Sequence, residues 1–579
     1  MRQTLSALAL LLFGCTANIV GSGDQNGVDP QGPGLVAGGG ASGGNVGDPG
    51  TTPAECATAA AQKPNISARI RRLTRLELEN TLADLLGEET RPLAAGLEPD
   101  TFAIGYSTGD ERGVSSNYVD ALKIVAEGAA AKRAGAPETR GLGTSCSADD
   151  ASATACAKTF LETFGARALR RPLAQAELDG LLVVYTAGTA TVPAGDRGAA
   201  LSAGVEYAVR ALLQSPDFIF RTELGPVGAS GDSVTLTPYE VASALSYALT
   251  ASPPDAALAQ QAKSGGLTTP QQLAAEGRRL LEAQPERFAR QAERFVREWL
   301  SIDLGSPAWK KDGKLYSEAG TAFKVALDRE TELFLRDWAQ NPSLSALLQS
   351  AKTFVSKDNA PAYGLSMTSA EFMPTDLDPA QRAGVLTLPS YLGSRAHADS
   401  SSPVLRGVAV LKKFLCLEPP PVPAMVPPLP PADQSDAKTT RERFAQHTAL
   451  AACSSCHQAF DPLGNAFEHY DAIGRYRDEE NGEPVDSSGA LVGTAGSDAP
   501  VADAVALSGL LATTPEVHAC VMRQTYRFIV GRRETGADAC VMSRYHQLFE
   551  EKQGDVRELM LALVTDPSVL SRAAMAPAP

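Results

Sequence analysis

Long hydrophobic runs are scarce in this chain. The one extended apolar stretch in 579 residues, Leu5 to Phe13, is too short to cross a bilayer as a mature helix. Aromatic residues make up only 6% of the chain. Positive charge is also in deficit: 52 Lys and Arg face 67 Asp and Glu, a net charge of −15. That balance, with no basic patch interleaved with aromatics, argues against a nucleic-acid partner. The chain has no Walker loop, no dinucleotide fingerprint, no G-x-S-x-G and no H-E-x-x-H. Asp110-Glu111 and Glu479-Glu480 read as solvated loop charges rather than as a glycosidase dyad. Histidine is rare, with six in all.

What is present is the string Cys453-Ser454-Ser455-Cys456-His457. It reads C-x-x-C-H, the attachment signature of c-type haem. Two thiols can add across the haem vinyl groups, and the adjacent imidazole can bind the iron from the same turn. Covalent attachment then holds the porphyrin without a large apolar pocket. In a cytosolic protein the same five residues would serve equally well as a redox dithiol or half of a zinc site. In an oxidising compartment a disulfide between the two cysteines beside a surface histidine is the alternative. Compartment therefore sets the weight of the motif.

The N-terminus points to export. Arg2 opens a short charged region, the apolar run follows, and Leu12-Phe13-Gly14-Cys15 resembles a bacterial lipobox. Residues 1–15 are expected to be a lipoprotein signal peptide, with Cys15 acylated. A plain secretory signal is the alternative. Thr16 after the cysteine, rather than Asp, favours the outer membrane by analogy with enteric bacteria. The expected location is the cell envelope, with the membrane reached through the lipid.

Cysteine usage fits that location. Setting aside Cys15 for lipid and Cys453 and Cys456 for haem leaves six of nine cysteines, an even number. The local pairs Cys146–Cys156 and Cys520–Cys540 are the expected disulfides, with Cys56–Cys416 as the remaining long-range pair. Buried free thiols are the alternative.

At about 150 residues per domain the length allows three or four domains. Residues 16–63 are expected to be a tether, Gly-rich between Asn18 and Pro53 and poor in large apolar side chains. Beyond it the pattern is mainly α with minor β. Thr74-Arg75-Leu76-Glu77 reads as a capping box, followed by Leu78, Leu82, Leu85 and Leu86 at helical spacing and a stop at Gly87. Thr237-Pro238-Tyr239-Glu240 repeats the device. Phe288, Ala292, Phe295, Val296 and Trp299 form an apolar helical stripe of the kind that fills a core. Leu417 to Pro431 is Pro-rich and reads as extended connector. Asn481 to Ser497 reads as loops with one small hairpin, and helix returns from about Asp503.

Several strings together resemble a modular family found in planctomycetes and myxobacteria, built from domains of unknown function 1587, 1595, 1592, 1588 and 1585. The first is carried by Arg71-Arg72-Leu73-Thr74-Arg75 and Asp84-Leu85-Leu86-Gly87. The second is carried by Phe164 to Leu173, and the third by Leu213 to Phe218 with Leu236 to Leu249. The fourth is carried by Ser402 to Gly407, the C-x-x-C-H string, Asp461-Pro462-Leu463-Gly464 and Tyr470 to Arg477. The fifth is carried by Thr525-Tyr526-Arg527-Phe528 with Gly531-Arg532. The resemblance places modules at 64–130, 150–222, 232–366, 380–482 and 500–572. It implies an exported, mainly helical protein with a cytochrome-like segment, and it implies no particular reaction. Asn465 stands where the pattern has an aromatic residue, and Asn359 to Pro361 interrupts another motif.

For the site itself, Cys453 and Cys456 are the expected thioether positions for one covalent haem c, and His457 is the proximal iron ligand. Its Nδ1–H needs an acceptor, for which a carbonyl in the Asp461-Pro462 turn is expected. His447, His397 and Met425 are sixth-ligand candidates, and Met522 is a weaker one that reads as core. Arg406, Arg475 and Arg477 are candidates for haem propionates, or else for structural pairs with Asp461 or Asp471. The leading expectation is an exported c-type haem lipoprotein that transfers electrons at the cell envelope. Its redox partner is undefined, and its helical body would bind a partner or substrate. The alternatives are a non-catalytic surface-binding lipoprotein with disulfide-bonded cysteines, and a five-coordinate haem oxidase or peroxidase.

Overall fold

Local capping chemistry sets the helices. Thr74 Oγ1 accepts from the Glu77 N–H at 3.1 Å while the Glu77 carboxylate accepts from the Thr74 N–H at 2.8 Å. This reciprocal box opens the Arg75–Leu86 helix, and Gly87, at φ 107°, ends it. Thr237 and Glu240 open Pro238–Thr250 in the same way. The stripe of the Pro285–Leu300 helix is core, with Phe295 and Val296 fully buried. In the computed structural model residues 56, 66–109, 113–135, 153–226, 232–305, 309–419, 436–448, 451–566 and 570–573 are described. The fold is mainly α with minor β, and every ladder among the described residues is a two-stranded antiparallel pair. The stretch expected to hold one hairpin takes part in two ladders, Glu479–Glu480 with Glu483–Pro484 and Gly489–Leu491 with Ala499–Val501.

Two ladders join distant parts of the chain. Arg69–Arg72 pairs with Phe220–Glu223, and Ser571–Ala573 pairs with Ser233–Thr235. Ser67 also bridges Ala573, so the first and last described strands lie together. Glu223 sits in this junction, 2% exposed. Its carboxylate receives Arg69 Nε at 2.7 Å and Arg572 Nε at 2.8 Å, with Arg71 Nη1 at 3.6 Å. Burial pushes this carboxyl up, but Arg69, Arg572, Arg71 and Arg221 outweigh burial and hold it well below the usual carboxylate range.

The apolar side chains gather into two large cores. One runs from Leu73 to Ile219 and takes in Tyr247 from a later helix. The other runs from Leu236 to Leu570 and takes in Ile66 and Tyr106. The first two family-like segments therefore share one interior, and the last three share the other. A small cluster of Leu304, Trp309, Phe323, Leu327, Ala362 and Ile473 adds a second contact between the third and fourth segments.

The disulfides differ from the expected pairing. Cys520 bonds Cys416 (Cα–Cα 5.5 Å), and Cys540 bonds Cys56 (Cα–Cα 5.3 Å). Neither the Cys520–Cys540 nor the Cys56–Cys416 pair forms. Cys520 lies ten residues, about 15 Å of helix, from the end of Pro515–Val530, whereas Cys540 starts the next helix beyond the turn. Cys520 instead meets the end of the Pro403–Phe414 helix, where its sulfur lies 3.4 Å from the Lys413 carbonyl. Cys156 is disulfide-bonded. Cys15, Cys146 and Met425 lie outside the described residues, as does the Pro-rich segment beyond residue 419.

Candidate haem-attachment site

The motif forms its own short helix, Ala451–His457. Cys453, Cys456 and His457 stand at i, i+3 and i+4, so one helix face carries both sulfurs and the imidazole. Cys453 and Cys456 are free thiols, each partly exposed. The helix ends in a tight turn in which the Phe460 N–H donates to the His457 carbonyl at 3.1 Å. Phe460 packs beside the imidazole, ring centroids 4.8 Å apart.

The acceptor for Nδ1 comes from the expected residue but from a different atom. His457 Nδ1 lies 2.9 Å from Asp461 Oδ1 and 3.1 Å from Oδ2. Asp461 begins the Asp461–Asn465 helix one turn beyond His457, which brings its side chain, rather than a carbonyl, to the ring. A carboxylate only accepts, so Nδ1 carries a hydrogen, the kind of outer contact that orients a metal-binding imidazole.

Two glycines fix this pair of helices in place. A Cβ on Gly407 would run into the Phe460 carbonyl and lie 3.0 Å from Gly464 N. One on Gly464 would run into the Pro403 carbonyl. The Pro403–Phe414 helix is opened by Ser402, whose Oγ accepts from the Leu405 N–H, and it lies backbone to backbone on Asp461–Asn465. Arg406 locks the contact from inside. It is fully buried and donates to the carbonyls of Phe467 (2.9 Å), Tyr470 (2.7 Å) and Asp471 (2.8 Å). This overturns Arg406 as a propionate ligand, because its guanidinium is committed to the fold. Arg475 pairs with Glu318 at 2.7 Å and Asp471 at 3.2 Å. Arg477 pairs with Glu480 at 2.7 Å and approaches Glu468 at 3.8 Å. Of the two structural pairings anticipated, the one with Asp471 forms; Asp461 is taken by His457.

The remaining candidates are dispersed. His397 is exposed, and its ring stacks on Phe444 at 6.2 Å, on the Thr440–Thr448 helix that leads into the motif. Arg443 of that helix donates to Ser400 Oγ at 2.8 Å, tying the His397 loop to it. His447 lies on the same helix, and its side chain is outside the described set. Met522 is core, 3% exposed. Among the described residues no group of three or more His, Cys, Asp and Glu gathers as a protein-only metal site.

Two carboxylates beside the motif escaped the sequence reading. Glu480, expected to be solvated, accepts from the Thr440 N–H and Oγ1 at 2.7 Å each and so starts the helix before the motif. Glu468 is 1% exposed and accepts from Ser401 Oγ at 3.2 Å. Burial, partly offset by Arg406 and Arg477, pushes its carboxyl up to about 6.

Fold and site together define a mainly helical, multi-segment protein with a C-x-x-C-H helix in its fourth segment. Five family descriptions match it in order: residues 71–135 the protein of unknown function DUF1587, 156–223 DUF1595, 236–365 DUF1592, 382–480 DUF1588 and 497–569 DUF1585. Each stretch matches its own family, and the five matches follow one another along most of the chain between residues 71 and 569. No curated protein and no solved structure matches it.

Proposed function

We propose that this protein is an exported c-type haem lipoprotein that carries electrons at the cell envelope, with the porphyrin held by Cys453 and Cys456 and the iron by His457. Covalently bound haem would supply one-electron chemistry there. The observation that carries the reading is the contrast among cysteines. Cys56, Cys156, Cys416, Cys520 and Cys540 are all disulfide-bonded, while Cys453 and Cys456, three residues apart, stay free. Disulfides fit an oxidising compartment, and two spared thiols next to an imidazole fit thioether formation. Asp461 adds support by orienting the His457 ring through Nδ1, the nitrogen opposite the one that would meet the iron. The lipid anchor at Cys15 and the outer-membrane location belong to the same proposal and rest on the lipobox-like leader.

The test is a pyridine haemochrome assay on protein exported in a host that matures c-type haem. One covalent haem per chain, lost in the Cys453→Ala/Cys456→Ala variant, is the expected result. Absence of covalent haem, with these two cysteines recovered as a disulfide, would overturn the proposal in favour of a surface-binding lipoprotein.

A further inference from the structure

A large cleft lies apart from the motif helix, with none of Cys453 to His457 in its wall. It has a volume of about 1000 Å³ and opens where the first three family segments meet. The end of the Arg75–Leu86 helix, the turn after Ala153–Leu169 and the Ala256–Ser264 helix all reach it. Leu85, Leu173, Leu178 and Pro253 supply apolar wall, and Tyr239 adds a ring with a polar end. That size and lining match a site for a small organic ligand.

Charge narrows the class. The wall holds five basic and three acidic side chains, although the chain as a whole is at −15. Most of these charges are already satisfied. Asp84 binds Arg287 at 2.6 Å, Asp255 binds Arg279 at 2.8 Å, and Arg171 binds Glu177 at 2.8 Å. Arg170 donates to the carbonyls of Asp217, Phe218 and Phe220. Three cations at the wall have no carboxylate partner among the described residues: Arg170, held by carbonyls, Arg167, which donates only to the Asp84 carbonyl, and Lys263. Of these, Arg170 is buried, whereas the Arg167 and Lys263 side chains are exposed.

We propose that this cleft binds an amphiphilic organic anion, its apolar body against Leu85, Leu173 and Leu178 and its charged head at Lys263 and Arg167. A carboxylate or sulfonate is drawn to the positive charge of these two side chains, whereas a cationic amphiphile of the same length meets them with like charge. The site is independent of the haem reading, since it shares no residue with it.

The test uses full-length protein and dodecanoate as the probe, followed by titration calorimetry. One-to-one saturable binding is expected, weakened about tenfold or more by Arg167→Glu/Lys263→Glu, as two lost charge-assisted contacts imply. Ala259 lines the cleft and is exposed, so Ala259→Trp fills the space without entering a core and should abolish binding with thermal unfolding unchanged. Absence of dodecanoate binding would overturn the proposal. So would equal affinity for dodecyltrimethylammonium, or binding that survives Ala259→Trp.

Discussion

Gly407 and Gly464 face each other across two helices with no room for a side chain on either. Their contact sets the height of Asp461 above the motif helix, and hence the hydrogen bond to His457. Gly464→Ala would press a methyl into the Pro403 carbonyl, which is backbone and cannot turn aside. A loss of about 1–3 kcal/mol or more in chemical denaturation is expected. A variant with wild-type stability would show that the two helices slide apart freely.

The Asp461 carboxylate partners His457 Nδ1, and a carboxylate in that place strengthens electron donation from the opposite ring nitrogen to a bound metal. A more strongly donating ligand favours the oxidised metal, so Asp461→Asn in haem-loaded protein should raise the midpoint potential. Redox titration reads this directly, and an unchanged potential would remove Asp461 from a tuning role.

Glu468 makes stability depend on pH in a defined direction. Its carboxyl is pushed from 4.5 up to about 6 by burial, so the folded protein holds this proton more tightly than the unfolded chain. The group's contribution is fully present below pH 4.5 and is lost as pH rises through about 6. The cost above that window is about 2 kcal/mol. Glu468→Gln should remove this dependence, so variant and wild type should diverge between pH 4.5 and 7 in urea midpoints, with the variant gaining. Parallel curves would show that the carboxyl is solvated in the folded protein.

Glu223 acts in the opposite sense. Held well below 4.5 by Arg69, Arg572, Arg71 and Arg221, it adds stability above pH 4.5 that is lost as acid protonates it. Glu223→Ala takes the shared carboxylate away from buried guanidiniums and should cost about 3–5 kcal/mol at pH 7. The variant's stability should also fall less steeply below pH 4.5, as monitored by circular dichroism.

The legible parts of this protein are those written within a few residues. The Thr74–Glu77 and Thr237–Glu240 boxes were readable because a capping box is complete in four positions. The motif helix was readable for the same reason, and His457's partner was found to the residue but not to the atom. What escaped depends on distant pieces of chain. Cys416 meets Cys520 only because two helices pack. Glu480 looked like surface until Thr440, forty residues earlier, came to lie against it. Glycine in Ser402 to Gly407 and in Asp461 to Gly464 marked two motifs without showing that they touch. Asn359, in the Asn359 to Pro361 stretch that interrupts a family motif, proves to be a buried tie, its amide donating to Glu330 at 2.9 Å and to the Phe354 carbonyl at 3.0 Å.

The bond between Cys56 and Cys540 spans 484 positions and encloses the one between Cys416 and Cys520. A protease that cuts once in any loop between them therefore opens a ring rather than severing a string. The nicked protein would migrate as one species until a reductant is added. The segment bearing Cys453 and Cys456 would stay attached to Cys56, near the other end of the chain, after such a cut.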